Sequence, residues 1–497
     1  MRRECVDSQT VTTQISHVDG YLRHIMNVCE QDRSGALADY IPELTQVDPD
    51  GYGLSMCVHD GALYAQGDSK TSFTIQSVSK PLTYAMVLGR LGHAETDAKI
   101  GVEPSGEAFN EISVDDRRRP KNPMINAGAI LAASLLLPPV RDVDDDTVDR
   151  VVGEVVDFYS GCAGRRLTID ESVYRSERAT GSRNRAIAYM LDSFGGVDTD
   201  PEAALEVYYR QCSVQVTTDD LAIIGATIAN GGVNPRTGRT ILTQEVAQRV
   251  LSVMTTCGMY DGAGDWVTSV GLPAKSGVGG GILAVLPGQL GIGVYSPRLD
   301  RHGNSVRGIE TCRHLSTDLG LHMFNLTRES RVSIRSVYDG GEFDVSADWS
   351  DRERGYLRTC RDRIRIYELQ GDLTFSGAES VLRRLENDID SYDVALIDIS
   401  RIDVIDPVAR TMILGLKKTL DDRGQRAMVV DPDGVVRASV ERHRHDRVAP
   451  DLGAPEPLRG FDPTLPNVHA TMDDAVINAE TFQLKRRSGE GEVFGEG

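Results

Sequence analysis

The chain lacks most of the features that mark metal-binding, disulfide-stabilised or nucleic-acid-binding proteins. Its 54 Lys and Arg residues are outnumbered by 74 Asp and Glu residues, which gives a formal charge of −20. Such a surface repels nucleic-acid phosphates and anionic lipid head groups, so neither is an expected partner. The cysteines form no C-x-x-C pair and have no histidine cluster nearby, which predicts reduced, mostly buried thiols rather than a zinc site or a disulfide framework. They lie at positions 5, 29, 57, 162, 212, 257, 312 and 360.

Long apolar runs are also missing. The first residues, Met1 to Ser8, include two arginines but have no apolar stretch behind them, as the middle region of a secretory signal requires. The most apolar segment, Ala127 to Val140, is too short to cross a bilayer and has two prolines near its end. We therefore expect a cytoplasmic protein that makes no contact with a membrane.

The 497 residues exceed what one hydrophobic core usually organises, so two domains are expected. In the first part, strand-like runs (Leu54–Val58, Ala62–Ala65, Ile282–Leu286, Leu290–Tyr295) flank a long region of helical periodicity. This order predicts an α/β (α+β) fold, in which distant segments form one antiparallel sheet and a helical lobe is inserted between them. A cleft between sheet and lobe is the expected site.

The domain boundaries follow from changes in composition. A tail is predicted at 1–16, the first domain at 17–325, a polar linker at 326–360, a smaller α/β domain at 361–484 and a disordered tail at 485–497. Within the smaller domain, strands are predicted at 364–369, 394–399 and 427–430. In the first domain, Thr218 and Thr243 are predicted to cap helices that run through Ile228 and Met254.

The strongest local signal is the S-x-x-K unit Ser77-Val78-Ser79-Lys80 at the predicted start of a helix. Its spacing puts a hydroxyl and an amine on one helical face, close enough for the amine to take the hydroxyl proton. Because a base must be neutral, we predict that Lys80 is buried among apolar groups or lies near another cation. The simpler alternative is a chance match, with Ser77 as a helix cap and Lys80 in solvent.

A second motif supports the first. Lys275-Ser276-Gly277 stands directly before a predicted strand and has the form of the K-T/S-G motif that accompanies S-x-x-K in penicillin-recognising enzymes. Such a strand lies beside the nucleophile, so we predict that the N–H of Val278 shares an oxyanion hole with that of Ser77. None of the ten histidines lies in either motif, and no Gly-x-Ser-x-Gly surrounds Ser77, which disfavours a Ser-His-Asp hydrolase.

More motifs follow in order along the first domain. They are Tyr40-Ile41-Pro42-Glu43-Leu44, the segment 75–80, Glu103-Pro104-Ser105-Gly106, the segment 122–130, Ser176-Glu177-Arg178, Arg183-Asn184, Cys257-Gly258-Met259-Tyr260-Asp261 and the segment 273–278. With this series, the chain from about 17 to about 325 resembles the bacterial and mitochondrial-type glutaminases. The resemblance implies a β-lactamase/transpeptidase-like fold, a homo-oligomer (dimer or tetramer), and hydrolysis of L-glutamine to L-glutamate and ammonia without a metal or organic cofactor.

The resemblance also implies roles for single residues. Ser77 matches the nucleophile, Lys80 its activating base, and Tyr260 a tyrosine that relays protons near the scissile amide. Ser77, Tyr260 and Val278 are therefore expected to contact the substrate as well. Tyr40 matches a tyrosine at the mouth of the pocket.

Four further residues match the positions that hold the substrate's α-carboxylate and α-ammonium, namely Asn126, Glu177, Asn184 and Tyr208. Glu177 is the natural partner of the ammonium, because an anion is needed there. Each has a simpler alternative: Tyr208 as a core aromatic, Asn126 as the brace of a turn, Asn184 as a turn residue and Glu177 as a surface ion-pair residue.

Residues 361–484 resemble STAS domains. The resemblance is carried by Gln370-Gly371-Asp372-Leu373-Thr374-Phe375, by the strand ending at Ser400, and by Val404-Ile405-Asp406 ahead of a helix. In regulatory STAS proteins a phosphorylatable serine often follows that aspartate, whereas Pro407 stands here and excludes phosphorylation at this position. We expect a module that binds an unknown small ligand or protein, with an inert appended domain as the alternative.

Two other functions stay open at this point. A penicillin-binding peptidase or β-lactamase shares both motifs, but those enzymes work outside the cytoplasm and need an export signal. A non-catalytic glutamine sensor coupled to the STAS-like domain would have no need of a nucleophile and a base. Release of ammonia from glutamine, and its loss on substitution of Ser77, separates these functions.

Overall fold

The computed structural model describes residues 17–106, 113–324, 333–342, 349–402, 405, 407–435 and 467–488. The strands are β1 (Gly53–Val58), β2 (Leu63–Gly67), β3 (Phe73–Thr74), β4 (Thr168–Ile169), β5 (Val214–Val216), β6 (Ala274–Ser276), β7 (Gly281–Leu286), β8 (Leu290–Tyr295), β9 (Ser333–Asp339), β10 (Ile364–Gln370), β11 (Val394–Arg401), β12 (Arg426–Val430) and β13 (Val468–His469). The helices are α1 (His17–Cys29), α2 (Pro42–Thr45), α3 (Ser79–Lys99), α4 (Asn126–Ser134), α5 (Asp145–Ala163), α6 (Glu171–Thr180), α7 (Ser182–Ser193), α8 (Pro201–Cys212), α9 (Thr218–Ala229), α10 (Gln244–Cys257), α11 (Ala263–Ser269), α12 (Val306–Leu319), α13 (Asp351–Leu357), α14 (Phe375–Asn387), α15 (Pro407–Asp422) and α16 (Met472–Ser488).

The first domain is built on an antiparallel sheet with the strand order β2-β1-β8-β7-β6. Strand β1 pairs with β8, from Gly53 opposite Tyr295 to Val58 opposite Leu290, so the sheet joins the two ends of the domain. Every residue of β1, β7 and β8 is buried, because α9 covers one face of the sheet and α1 and α12 lie on the other. Helix α9 lies so close that a Cβ on Gly291 would stand 2.2 Å from the nitrogen of Ala226. The predicted antiparallel sheet is confirmed.

A helical lobe lies between β2 and β6 in the chain, as predicted. Helices α4, α5, α7 and α8 pack against one another around a shared apolar core. The predicted apolar segment forms α4, and all nine residues of that helix are buried. A small sheet with the order β3-β5-β4 connects the lobe to the segment that precedes Ser77.

The cap of α9 differs from the prediction by one residue. Thr217, not Thr218, is the N-cap: its side chain accepts from the N–H of Asp220, whose carboxylate accepts in return from the N–H of Thr217. Thr218 is instead the first helical residue, and its buried hydroxyl lies 2.7 Å from that of Ser55. Thr243 caps α10 as predicted, and that helix continues to Cys257.

The second domain has a mixed sheet with the order β13-β12-β11-β10-β9, in which β10 to β13 are parallel and β9 is an antiparallel edge strand. The segment 326–360 was predicted to be a linker, but β9 and α13 lie within it, and α13 packs against α16. Helix α16 runs to Ser488, so residues 485–488 belong to it rather than to a disordered tail. The predicted tail at 1–16, the rest of the C-terminal tail, Val404 and Asp406 lie outside the described residues.

Helix α14 joins the two domains. Phe375 packs into the apolar cluster that α1 and the first sheet share, and Ser376 Oγ donates to Gln289 Oε1 at 2.9 Å. Further along, Glu379 accepts from the hydroxyl of Tyr64, and Arg383 pairs with Asp60. The seven cysteines that the structure describes are buried and free. None of the described helices is both long enough and apolar enough to cross a membrane.

Candidate active site

Ser77 and Lys80 meet where a short 3-10 turn, Gln76–Val78, runs directly into α3. Lys80 Nζ donates to Ser77 Oγ at 2.6 Å. Ser77 is 7% exposed and Lys80 is 1% exposed. The alternative of a solvated lysine is therefore wrong, and the arrangement is a buried alcohol–amine pair one turn apart.

Burial sets the protonation of this pair. It lowers the pKa of Lys80 to about 8, although the Coulombic effects of Cys212 and Glu177 act in the opposite direction. An amine with this pKa is partly neutral near physiological pH, which a general base requires. The predicted burial of Lys80 is confirmed.

The segment that follows β6 lies against the turn that holds Ser77. A Cβ on Gly277 would stand 3.0 Å from the carbonyl oxygen of Ile75, and one on Gly279 would stand 2.9 Å from that of Thr74. Only glycine allows the two backbones to come this close. The two glycines beside Val278 thus pack against the segment that leads into Ser77. The predicted oxyanion hole requires this position of the Val278 N–H.

A second buried lysine stands behind this segment. Lys275 is fully buried, and its Nζ donates to the carbonyl oxygen of Ser276 at 2.7 Å. The same atom lies 3.8 Å from the centroid of the Tyr260 ring. Burial, and to a smaller extent the charge of Lys80, lowers the pKa of Lys275 well below its ordinary value.

Tyr260 reaches the nucleophile from the turn after α10. Its hydroxyl donates to the carbonyl oxygen of Ser276 at 3.1 Å. Burial raises the pKa of Tyr260 to about 12, and hydrogen bonds with Ser77 and Ser276 act against this rise. Its φ of +57° is unusual for a residue with a side chain and typically costs about 1–3 kcal/mol. Such strain is held by surrounding contacts and is common at active sites.

Glu177 forms the charged end of the site. Its side chain is buried, and its Oε1 accepts from the hydroxyl of Tyr40 at 2.8 Å. Burial raises the pKa of Glu177, against opposing hydrogen bonds from Tyr40 and Gln76. The alternative of a surface ion pair is wrong. Tyr40 itself is 43% exposed, which fits a position at the mouth of the site.

Asn126 and Asn184 lie together. Nδ2 of Asn126 donates to Oδ1 of Asn184 at 3.0 Å. Asn126 is the first residue of α4, whereas Asn184 lies within α7, so the alternative of a turn residue is wrong for Asn184. Oδ1 of Asn126 is buried without a hydrogen-bond partner among the described residues. A buried polar atom of this kind calls for an additional partner such as a ligand or water.

Tyr208 lies deeper than the other predicted binding residues. It is 4% exposed and belongs to the apolar core of the lobe. Burial raises the pKa of Tyr208 well above its ordinary value, and a hydrogen bond with Cys212 and the charge of Glu177 act in the same direction. Tyr208 thus contributes to the core and is also electrostatically coupled to Glu177.

Sequence reasoning assigned no role to Gln76, Lys275 or Cys212, which the structure brings to the site. Gln76 accepts from Tyr40 at 3.3 Å and hydrogen-bonds Glu177, so it bridges the nucleophile turn and the charged end. The only signal for Gln76 was its place directly before Ser77. Lys275 stood inside a recognised motif, but its burial depends on packing that the sequence does not display.

Sequence comparisons with known proteins match both parts of the chain. The family model described as Glutaminase matches residues 35–324, and the model of the STAS domain matches residues 357–455. Glutaminase 2 of Bradyrhizobium diazoefficiens is 42% identical over 473 residues, which cover 94% of this chain and 72% of that protein. Glutaminase 1 of the same organism is 45% identical, and the alignment spans 58% of its length. The glutaminase of Corynebacterium glutamicum is 41% identical over 84% of this chain and 94% of that protein.

Two solved structures are also similar to this chain. The crystal structure of Mglu has a TM-score of 0.60 and 40% identity, and the alignment covers 84% of this chain and 99% of that one. The probable glutaminase ybaS has a TM-score of 0.59 and 37% identity, with 62% of this chain and 98% of that chain covered.

Proposed function

The chain belongs to the glutaminase family, and on that premise we propose that Ser77 carries out its hydrolysis of L-glutamine through an acyl-enzyme intermediate. The observation that carries this mechanism is the contact of 2.6 Å between Lys80 Nζ and Ser77 Oγ. The contact is buried and lies beside the segment that follows β6. An alcohol and an amine so arranged are the parts of an activated nucleophile.

The reaction begins when neutral Lys80 takes the proton of Ser77 and Oγ attacks the side-chain amide carbon. The N–H groups of Ser77 and Val278 hold the oxyanion, a contribution for which loss of one donor typically costs about 10²–10³ in turnover. Lys80 or Tyr260 then protonates the amide nitrogen, the C–N bond breaks and ammonia leaves. A water molecule hydrolyses the resulting ester, with the same base taking its proton, and releases L-glutamate.

The far end of glutamine is held by the other predicted residues. Glu177 accepts the α-ammonium, and Asn126 and Asn184 offer amide groups to the α-carboxylate. The unpartnered Oδ1 of Asn126 is an acceptor, so it supports a bound amino acid whose α-ammonium donates to this oxygen. Tyr208, which is electrostatically coupled to Glu177, forms the inner wall of the binding site, and Tyr40 forms the outer wall.

Four further expectations accompany this proposal. We propose that the enzyme works in the cytoplasm, which the free thiols of the seven described cysteines support. The homo-oligomer stays a prediction, as does the unknown ligand or protein for the STAS domain. We also propose that the catalytic unit ends near residue 325 and that the C-terminal unit extends at least to Ser488, the last residue of α16.

Ammonia release from L-glutamine by wild type, Ser77→Ala and Ser79→Ala tests the mechanism. Ser79 is the matched control. It is a buried serine two residues after Ser77, and its Oγ donates to the backbone carbonyl oxygen of Gln76. We expect Ser77→Ala to abolish turnover and Ser79→Ala to stay within about tenfold of wild type, which is less than the 10²–10⁴-fold that positioned proton transfer typically contributes. Full activity of Ser77→Ala would show that the nucleophile is another group. Hydrolysis of nitrocefin in place of glutamine would show a β-lactamase-type reaction.

A further inference from the structure

A second carboxylate stands next to Glu177 at the charged end of the site. Glu43 belongs to α2 and Glu177 to α6. Oγ of Ser176, the residue before Glu177, donates to Oε1 of Glu43 at 2.8 Å. Burial raises the pKa of Glu177, and the charge of Glu43 adds to this rise, as a like charge close by does. The two carboxylates therefore act on each other.

The other oxygen of Glu43 has no donor. Oε2 is buried and has no hydrogen-bond partner among the described residues. Burying a polar atom without a partner is costly, so such an atom calls for a donor from outside the protein. Oδ1 of Asn126 is in the same state, so the charged end holds two unpartnered acceptors. An ammonium group, which has three N–H donors and no acceptor, can satisfy both.

Packing holds Glu43 in this position. Its neighbours Ile41 and Leu44 are buried together with Val173 of α6, and Val278 packs against the same cluster. The short helix α2 is thus fixed between the helix that carries the charged end and the segment that carries the proposed oxyanion donor. The carboxylate of Glu43 therefore keeps a defined place relative to both ends of the substrate.

The charges around Glu177 do not balance. Titratable groups from four parts of the chain interact with it, namely Tyr40, Glu43 on α2, Lys80 on α3, and Tyr208, Tyr209 and Cys212 on α8. Burial raises the pKa of the three tyrosines and of the thiol, so these groups are neutral. Lys80 is the cation of this set, and it must be neutral to act as the base. In that state Glu43 and Glu177 have no cation of the set to balance them.

We propose that Glu43 is a specificity-determining residue, whose buried carboxylate binds the α-ammonium of glutamine together with Glu177 and so makes a charged α-amine a requirement of the site. The inference rests on the proposed function and deepens it. The α-ammonium brings one positive charge and three N–H donors to two carboxylates and the unpartnered Oδ1 of Asn126. A ligand without the amine leaves both carboxylates buried and without a cation, which disfavours its binding.

Two variants separate the charge of Glu43 from its hydrogen bond. Glu43→Gln removes the negative charge, whereas its amide oxygen can still accept from Ser176. Ser176→Ala does the reverse, because it removes the hydrogen bond and keeps both carboxylates. The measured quantities are kcat and KM for L-glutamine and the inhibition constants of L-glutamate and of glutarate, which is L-glutamate without the amine.

We expect Glu43→Gln to raise the KM for glutamine and the inhibition constant of L-glutamate about tenfold, near the lower end of what a hydrogen bond to a charged group contributes. The change in kcat should be smaller, and the inhibition constant of glutarate should stay the same or fall. Ser176→Ala should change these constants less than about twofold, because both charges remain. Equal weakening of L-glutamate and glutarate in Glu43→Gln would overturn the proposal. So would a loss in Ser176→Ala as large as that in Glu43→Gln, because Glu43 would then only brace α2 against α6.

The pH dependence of L-glutamate inhibition gives a second readout. Glu177 binds the ammonium only as a carboxylate, so binding weakens as the pH falls through its raised pKa. Removing the charge of Glu43 lowers that pKa, so we expect the acid limb to move to lower pH in Glu43→Gln. An acid limb that does not move would contradict the proposal.

Two further outcomes are distinguishable. If Glu43→Gln does not fold, Glu43→Ala takes its place, because it also removes the charge and the same differences between L-glutamate and glutarate are expected. Failure of the wild type to release ammonia from glutamine would overturn the proposed function itself, whereas an unchanged inhibition constant of L-glutamate in Glu43→Gln would overturn the role of Glu43 alone.

Discussion

Changing the pH tests the proposed role of Lys80 directly, because only the neutral amine can take the proton of Ser77. Burial lowers the pKa of Lys80 from 10.5 to about 8, so the neutral form is gained as the pH rises through 8. The neutral fraction is about 1% at pH 6 and about one half at pH 8 for a group with this pKa. We therefore expect kcat at saturating glutamine to rise about fiftyfold between these two values.

The assay is steady-state ammonia release at saturating L-glutamine from pH 6 to pH 8.5, with wild type, Lys80→Met and Lys275→Met. Lys80→Met should lower kcat about 10²–10⁴-fold and remove the rise with pH, since positioned proton transfer contributes that much. Lys275 is the matched second lysine, because it is also buried and burial also lowers its pKa. Lys80→Met with kcat within about fivefold of wild type and an unchanged pH limb would refute the assignment of the base.

Three other predictions concern stability and the proton relay. Lys80→Met should unfold at a higher temperature than wild type at pH 7, because it removes the cost of about 3 kcal/mol of burying a charged amine. This gain in stability should shrink from pH 8 to pH 10.5, because the folded wild type binds the lysine proton less tightly than the unfolded chain does. Tyr260→Phe should lower kcat about tenfold or more with little change in KM, because it keeps the ring over Lys275 and removes only the hydroxyl; an equal loss in both parameters would indicate a structural role. Gly128→Ala should cost more than about 3 kcal/mol in denaturant unfolding, because its Cβ would stand 2.0 Å from the carbonyl oxygen of Asn122, whereas Gly153→Ala, with no atom within 4 Å, should be neutral or stabilising.

The sequence predicted those parts of the molecule that depend on local pattern. Ser77 and Lys80 lie three residues apart, so their contact follows from helical geometry alone. Strands β1, β7 and β8 were predicted nearly to the residue, because their apolar runs are buried on both faces. The predicted cap of α9 was wrong by one position, since two adjacent threonines offer the same hydroxyl and only the backbone decides which one stays outside the helix.

Features that depend on long-range packing were not predictable in this way. Strand β9 is a half-exposed edge strand whose polar and apolar residues do not alternate regularly, so its sequence was indistinguishable from a linker. Gln76 meets Glu177 and Tyr40 only because three separate segments converge. In the same way, the docking of Phe375 on the first domain depends on a surface that is assembled from α1 and the sheet.

The strand order of the first domain also bears on how the enzyme becomes active during synthesis. A ribosome makes β1 and Ser77 about 200 residues before it makes β6 and β8, which complete the sheet and the site. Until then β1 has only β2 as a neighbour, and its other edge is open to pairing with another nascent chain. A nascent chain that ends before β6 lacks the segment that carries Val278, so we expect it to hydrolyse no glutamine.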